Sequence, residues 1–138
     1  MLKRLLILAL SIIPFQAVAK DALSEKRCMV SAIYYEANTQ SDVGKRAVMD
    51  VILNRVKATG KSVCQVIAQP GQFSWFDKKP ILKYNVEMKD LLKRMEGVGV
   101  VLMNENVKWF HHVIVKPKWA KKMSCMRLEE HMFCYERS

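Results

Sequence analysis

Thirteen carboxylic acids lie along the 138-residue chain, and one stands apart by its neighbours. Glu36 follows Ile33, Tyr34 and Tyr35 and precedes Ala37, an apolar and aromatic setting that disfavours the charged carboxylate. A carboxyl that keeps its proton near neutral pH can give it to a leaving oxygen and then, as carboxylate, accept another. Tyr34 could hydrogen-bond a ligand, brace the glutamate or pack in a core. Asn54 interrupts an apolar helix stripe, so its amide could reach a cleft or satisfy a buried carbonyl. The loop Gln72-Phe73-Ser74-Trp75 sets amide and hydroxyl groups beside flat rings, a combination suited to sugar hydroxyls and sugar faces. His111 and His131 lie in strand-like stretches, where a ligand contact competes with a structural hydrogen bond.

Holding these groups together requires several elements. Leu23, Val30, Ile33 and Ala37 recur at helical spacing, which predicts a helix over 23–37 with Glu36 near its end. Ser41 or Asp42 caps a second helix running to about Lys57, with Ala47, Val48, Val51, Ile52 and Val56 inward and Lys45, Arg46, Asp50 and Lys57 toward solvent. Gly60 ends it, and Ser62 with Gln65 forms a capping box for a short helix to about Ala68, stopped by Pro70-Gly71. Residues 72–81 read as an exposed loop or short extended piece. A helix is expected over 86–103, with Leu91, Leu92, Met95 and Val98 inward. Strands are expected over 109–115 and around 132–135. The resulting fold class is α+β, a mainly helical domain with a small sheet.

Lys3 and Arg4 precede the apolar run Leu5 to Ile13, and Ala17-Val18-Ala19 follows, the build of a cleavable signal peptide over 1–19. The nine-residue run is far short of the roughly 20 residues a membrane span needs, so membrane contact is expected only before cleavage. Residues 20–138 then form one domain, secreted to the periplasm or cell envelope. The chain carries a formal charge of +10, and loss of Lys3 and Arg4 leaves +8, which favours anionic envelope polymers. Nucleic acid is not an expected partner, because the lysines are scattered without a recognisable binding motif. Four cysteines in an oxidising compartment imply two disulfides out of three pairings; Cys28–Cys64 and Cys125–Cys134 are favoured because each ties neighbouring segments. The cysteine spacings of 36, 61 and 9 lack a CxxC pair, and the nine methionines form no ligand cluster. No metal or cofactor is expected.

Tyr34-Tyr35-Glu36-Ala37, Ala47-Val48, Val51-Ile52-Leu53-Asn54-Arg55-Val56, Val63-Cys64-Gln65-Val66-Ile67 and Gln69-Pro70-Gly71-Gln72-Phe73-Ser74-Trp75 together resemble, in order and spacing, the SleB-like cell-wall hydrolase family of spore cortex-lytic enzymes. Phe110-His111, Val115, Pro117, Trp119-Ala120 and His131-Met132-Phe133 extend the resemblance more faintly. Departures are Asn38 and Gln40 where the family has an arginine and a second acid, Trp109 in place of a histidine, and Glu129 in place of a glycine.

The resemblance implies a lysozyme-like fold and cleavage of the bond between N-acetylmuramic acid and N-acetylglucosamine in peptidoglycan. Glu36 would be the catalytic residue, with Tyr34, Asn54, Gln72, Phe73, Ser74, Trp75 and His111 as substrate-binding residues. Without a second acid behind Glu36, a lytic transglycosylase fits better than a two-carboxylate glycosidase; hydrolysis remains open if water takes the place of the sugar hydroxyl. The expected partner is a peptidoglycan glycan strand bound by a monomer, in bacterial wall remodelling or as a phage endolysin. The alternative is a non-catalytic exported protein that binds peptidoglycan or inhibits an enzyme.

Overall fold

The computed structural model describes the backbone of residues 15–138 and side chains from Asp21 onward; the leader expected over 1–19, with its cleavage point, lies outside the fully described residues. Four helices come first: α1 (Phe15–Ala37), α2 (Asp42–Thr59), α3 (Val63–Ile67) and α4 (Val86–Val98). Strands β1 (Trp109–His112), β2 (Met123–Leu128) and β3 (His131–Glu136) follow, with a 3-10 turn over Lys118–Lys122 between β1 and β2. They form an antiparallel sheet with β3 central. The architecture is the α+β class that the patterning implies. None of the described helices is long and apolar enough to cross a membrane.

Local chemistry accounts for the helix ends. The Ser41 side chain accepts from the Gly44 N–H to start α2, and Gly60 ends it in the left-handed region at φ 69. The Ser62–Gln65 capping box opens α3, and the Glu25 carboxylate on α1 also accepts from the Val63 and Cys64 N–H groups. The Cys28–Cys64 disulfide adds a covalent tie between these helices, while Cys125 and Cys134 are bonded as directly opposed residues of β2 and β3. Gly99, at φ 76, stops α4 at Val98 rather than at Met103.

The apolar stripes of α1 and α2 meet in the core, where Val30, Ile33, Ala47, Val48, Val51 and Ile52 are fully buried. Leu23 departs from its expected inward place: it is 46% exposed, because the packed part of α1 starts about a turn later, at Cys28. Arg46 and Asp50 depart the other way. They are only 7% and 3% exposed; Arg46 Nε donates to Asp50 Oδ1 at 2.7 Å, and Arg46 Nη1 donates to the Met95 carbonyl. Asp50 Oδ2 accepts from the Val101 and Leu102 N–H groups. A charged pair has thus been buried to hold the chain after α4 against α2. Phe73 and Trp75 are likewise buried, so residues 72–81 are a packed loop with exposed stretches rather than an exposed one. Strand β2 carries no clean alternation of its own, its residues being half-buried or exposed throughout; pairing with β3 defines it.

Gln40 shows why the chain does without an acid at that position. Its amide nitrogen donates to Glu130 Oε2 at 2.8 Å, and its amide oxygen accepts from the Glu130 N–H at 3.2 Å. The side chain is buried between the α1–α2 turn and the tip of the β2–β3 hairpin, where Glu129 stands in the left-handed region at φ 51. A left-handed backbone is where a glycine would ordinarily be chosen, and Glu129 offsets the strain by accepting from the Ser41 N–H. Gly44 leaves room for this docking, since a Cβ there would collide with the Glu129 carboxylate. Gln40→Glu keeps the shape but sets two carboxylates together and loses a donor, so it is expected to destabilise the fold by about 1–3 kcal/mol. Thermal denaturation checks this, and an unchanged midpoint would refute the amide clamp.

Candidate active site

Glu36 occupies the last turn of α1, partly buried, and opens into a cleft of about 480 Å³. One side comes from Tyr35 and the loop residues Gly71, Gln72 and Ser74. The other comes from the sheet region: Phe110, His111 and His112 of β1, His131 of β3, and Trp119 of the 3-10 turn. A second lobe of about 410 Å³ shares Gly71, Gln72, Phe110 and Trp119 and adds Arg55, Trp109 and Met123.

Each side is anchored by the helices. The Tyr35 hydroxyl donates to the Pro80 carbonyl at 2.8 Å, and its ring lies 4.8 Å from that of Trp75, which fixes the loop beside Glu36. On α2, Asn54 Nδ2 donates to the Val107 carbonyl at 3.0 Å and Arg55 Nε to the Lys108 carbonyl at 2.5 Å, tying down the approach to β1. His111 Nδ1 must carry hydrogen, because it lies 2.8 Å from the His112 carbonyl, which can only accept. His112 Nδ1 accepts from the Ile114 N–H, while its Nε2 lies 3.5 Å from Glu130. Burial pushes the His131 pKa down, with His112 acting in the same sense, so its ring is held neutral.

Burial also dominates at Glu36, raising its pKa from 4.5 to about 7. The Trp75 indole N–H and then the Arg55 charge pull the other way. The indole stops short of a well-formed hydrogen bond, since its Nε1 is buried without a partner. Arg55 lies over the Phe73 ring at 5.5 Å, and burial lowers its pKa to about 10, leaving it cationic at neutral pH. Glu36 is the one acid lining the cleft among the described residues. It can therefore hold a proton at neutral pH, release it into the cleft and take another back.

Of the residues singled out in the sequence, Gln72, Ser74, His111 and His131 line the cleft with Glu36. Phe73 and Trp75 pack beneath it, 4% and 5% exposed. Tyr34 lines a separate depression of about 160 Å³ with Leu82, Lys83 and Asn85. Asn54 takes the carbonyl-satisfying role of its two alternatives. The cleft also uses Tyr35, Phe110, His112 and Trp119, none of them assigned a role from the sequence. His111 has a ring nitrogen within 4.8 Å of the sulfurs of Cys125 and Cys134, but these sulfurs are bonded to one another and the trio is no metal site in the oxidised protein.

Comparison with known proteins adds two similarities. The profile of a family described as cell wall hydrolase matches residues 39–134. The crystal structure of the catalytic domain of the Bacillus cereus SleB protein is similar with a TM-score of 0.65 and 25% sequence identity, over 80% of this chain and 88% of that one. No curated protein matches the sequence. The profile match begins three residues beyond Glu36, so the case for that residue rests on its geometry and setting.

Proposed function

Because the chain belongs to the cell wall hydrolase family, we propose that it degrades peptidoglycan as a lytic transglycosylase, cleaving between N-acetylmuramic acid and N-acetylglucosamine with Glu36 as acid and base. The observation that carries this reading is a single carboxyl in the cleft with a pKa of about 7. Inverting and retaining glycosidases ordinarily need two carboxylates.

Glu36 gives its proton to the glycosidic oxygen as the bond from that oxygen to muramic acid C1 breaks. The N-acetylglucosamine side leaves as an alcohol. The Glu36 carboxylate then takes the proton of the muramic acid C6 hydroxyl while O6 bonds to C1. The sugar becomes a 1,6-anhydro ring, no water is consumed, and Glu36 ends protonated as it began. The Trp75 N–H and Arg55 favour the carboxylate formed midway, which supports the same group in both steps. Gln72, Ser74 and His111 offer hydrogen bonds to sugar hydroxyls, and the rings of Tyr35 and Trp119 offer flat apolar contact.

The setting proposed for this activity is the periplasm or cell envelope, reached as a monomer beginning at Lys20 after loss of the leader. Two disulfides suit such an oxidising compartment. The same chemistry serves wall remodelling and phage release.

The test is mass spectrometry of fragments that the purified 20–138 protein releases from peptidoglycan. Anhydro-muramyl ends, lighter by one water than reducing ends, are expected. Reducing muramic acid ends would replace the transglycosylase with a hydrolase, and bound protein with no released fragment would leave only a binding function.

A further inference from the structure

Beyond the two lobes of the active-site cleft, the groove continues into a third depression of about 620 Å³, lined by Lys118, Trp119, Lys122, Met123, Glu136 and Arg137. Trp119 lines all three depressions, and Met123 lines the last two. The connecting segment Lys116–Lys122 carries four lysines and no acid. This end of the groove therefore presents three cations and one carboxylate, continuous with the place where Glu36 acts. We infer that the basic lobe formed by Lys118, Lys122 and Arg137 binds the carboxylates of a peptide stem on the glycan strand held in the cleft.

This inference rests on peptidoglycan being the substrate. The glycan backbone of that polymer is uncharged, and its anionic groups nearest the cleaved bond are the carboxylates of peptides attached to muramic acid. A strand seated at Glu36 carries such a stem with it. Glu136 favours this occupant over a phosphate polymer: a stem can offer an amino group to pair with it, whereas a uniform polyanion would be repelled. Trp119, 41% exposed, supplies an apolar platform between the sugar and the charged lobe. The Arg137 guanidinium is oriented by donating through Nη2 to the Met123 carbonyl at 3.2 Å, while Lys118 and Lys122 are exposed and available for pairing.

The test compares three substrates at low salt: native peptidoglycan freed of phosphate polymers, the same material with stem carboxylates converted to methylamides, and glycan strands stripped of peptide whose exposed lactyl carboxylates are likewise methylamidated. The expected KM is about fivefold lower on the native material than on the other two, the scale of a few partly exposed ion pairs, with kcat alike. Lys118→Gln combined with Lys122→Gln is expected to remove this preference through KM. Added salt should do the same in the wild-type protein. Equal KM on native and methylamidated substrate, or a preference that survives in the double variant, overturns the inference. Cosedimentation with native and methylamidated peptidoglycan is read in parallel: even without cleavage, tighter binding to the native material is expected, and equal binding to the two overturns the inference. Failure to cleave any substrate counts against the enzymatic reading alone. If the preference appears only when phosphate polymers are left in place, those polymers occupy the lobe and the stem does not.

Discussion

Glu36→Gln is expected to lose about a thousandfold or more of the fragment-releasing activity and, above neutral pH, to be more stable than the wild-type protein. Loss of a positioned general acid or base removes roughly 10²–10⁴ in rate, and here one group serves both steps. The stability gain follows from the direction of the pKa shift. Folding raises the Glu36 pKa from 4.5 to about 7, so the folded protein holds this proton more tightly than the unfolded chain. The stability that this contributes is complete below pH 4.5 and is lost as pH rises through 7, where a desolvated carboxylate must be carried. The difference is on the order of 3 kcal/mol, and neutral glutamine does not incur it. Urea denaturation at pH 4 and pH 8 should therefore show near-equal stability at the first and a more stable variant at the second. In the wild type, kcat/KM should fall as pH rises past about 7, where free enzyme loses the proton it must donate. Retained activity in the variant would remove Glu36 from the chemistry; equal stability at both pH values would mean that the carboxyl is not desolvated.

Asp50→Ala should have the largest effect on folding without touching the cleft. It leaves the Arg46 guanidinium buried without its carboxylate and deprives the Val101 and Leu102 N–H groups of their acceptor. Breaking a buried pair in this way costs about 3–5 kcal/mol, a large part of the roughly 5–15 kcal/mol that stabilises a typical domain. The denaturation midpoint should fall accordingly. Lys57→Ala provides the contrast, because its pair with Glu105 is exposed on both sides and should contribute less than about 1 kcal/mol. Similar losses in the two variants would contradict the buried role assigned to Asp50.

Arg46 and Asp50 also mark a limit of reading the chain by polarity. Their i,i+4 spacing was visible, but a charged pair so spaced is ordinarily found on a solvated helix face; only the chain returning over α2 after α4 makes it a buried one. Features set by neighbouring residues were legible. Ser41 and the Ser62–Gln65 box open their helices, Gly60 ends α2, and Ala47, Val48, Val51 and Ile52 of its apolar stripe are buried. Both favoured cysteine pairs are bonded.

The cleft was legible on its helix-and-loop side and, through His111 and His131, only in part on its sheet side. Glu36, Gln72 and Ser74 come from α1 and the loop it braces, whereas Phe110, His112 and Trp119 reach the cleft because the sheet docks on the helices. No local pattern encodes that approach. Tyr34 and Tyr35 show the same limit at smaller scale. Consecutive helical residues point about 100° apart; Tyr35 faces the cleft beside Glu36 while Tyr34 lines a separate depression, and their spacing alone does not say which of the two does so.

The amide bridge at Gln40 has a consequence for how this sequence can drift among its relatives. Gln40 and Glu130 are 90 positions apart, yet they satisfy one another as donor and acceptor in both directions. Gln40 cannot become an acid alone without losing the donor that the Glu130 carboxylate accepts from, whereas the Glu130 N–H belongs to the backbone and is there whatever side chain stands at 130. An acid at position 40 calls for something other than glutamate at 130, and lineages that keep Glu130 are held to a side chain that can donate at 40. The two positions should substitute together, as a correlated pair, and the second acid that this chain lacks is then the signature of a differently fastened hairpin.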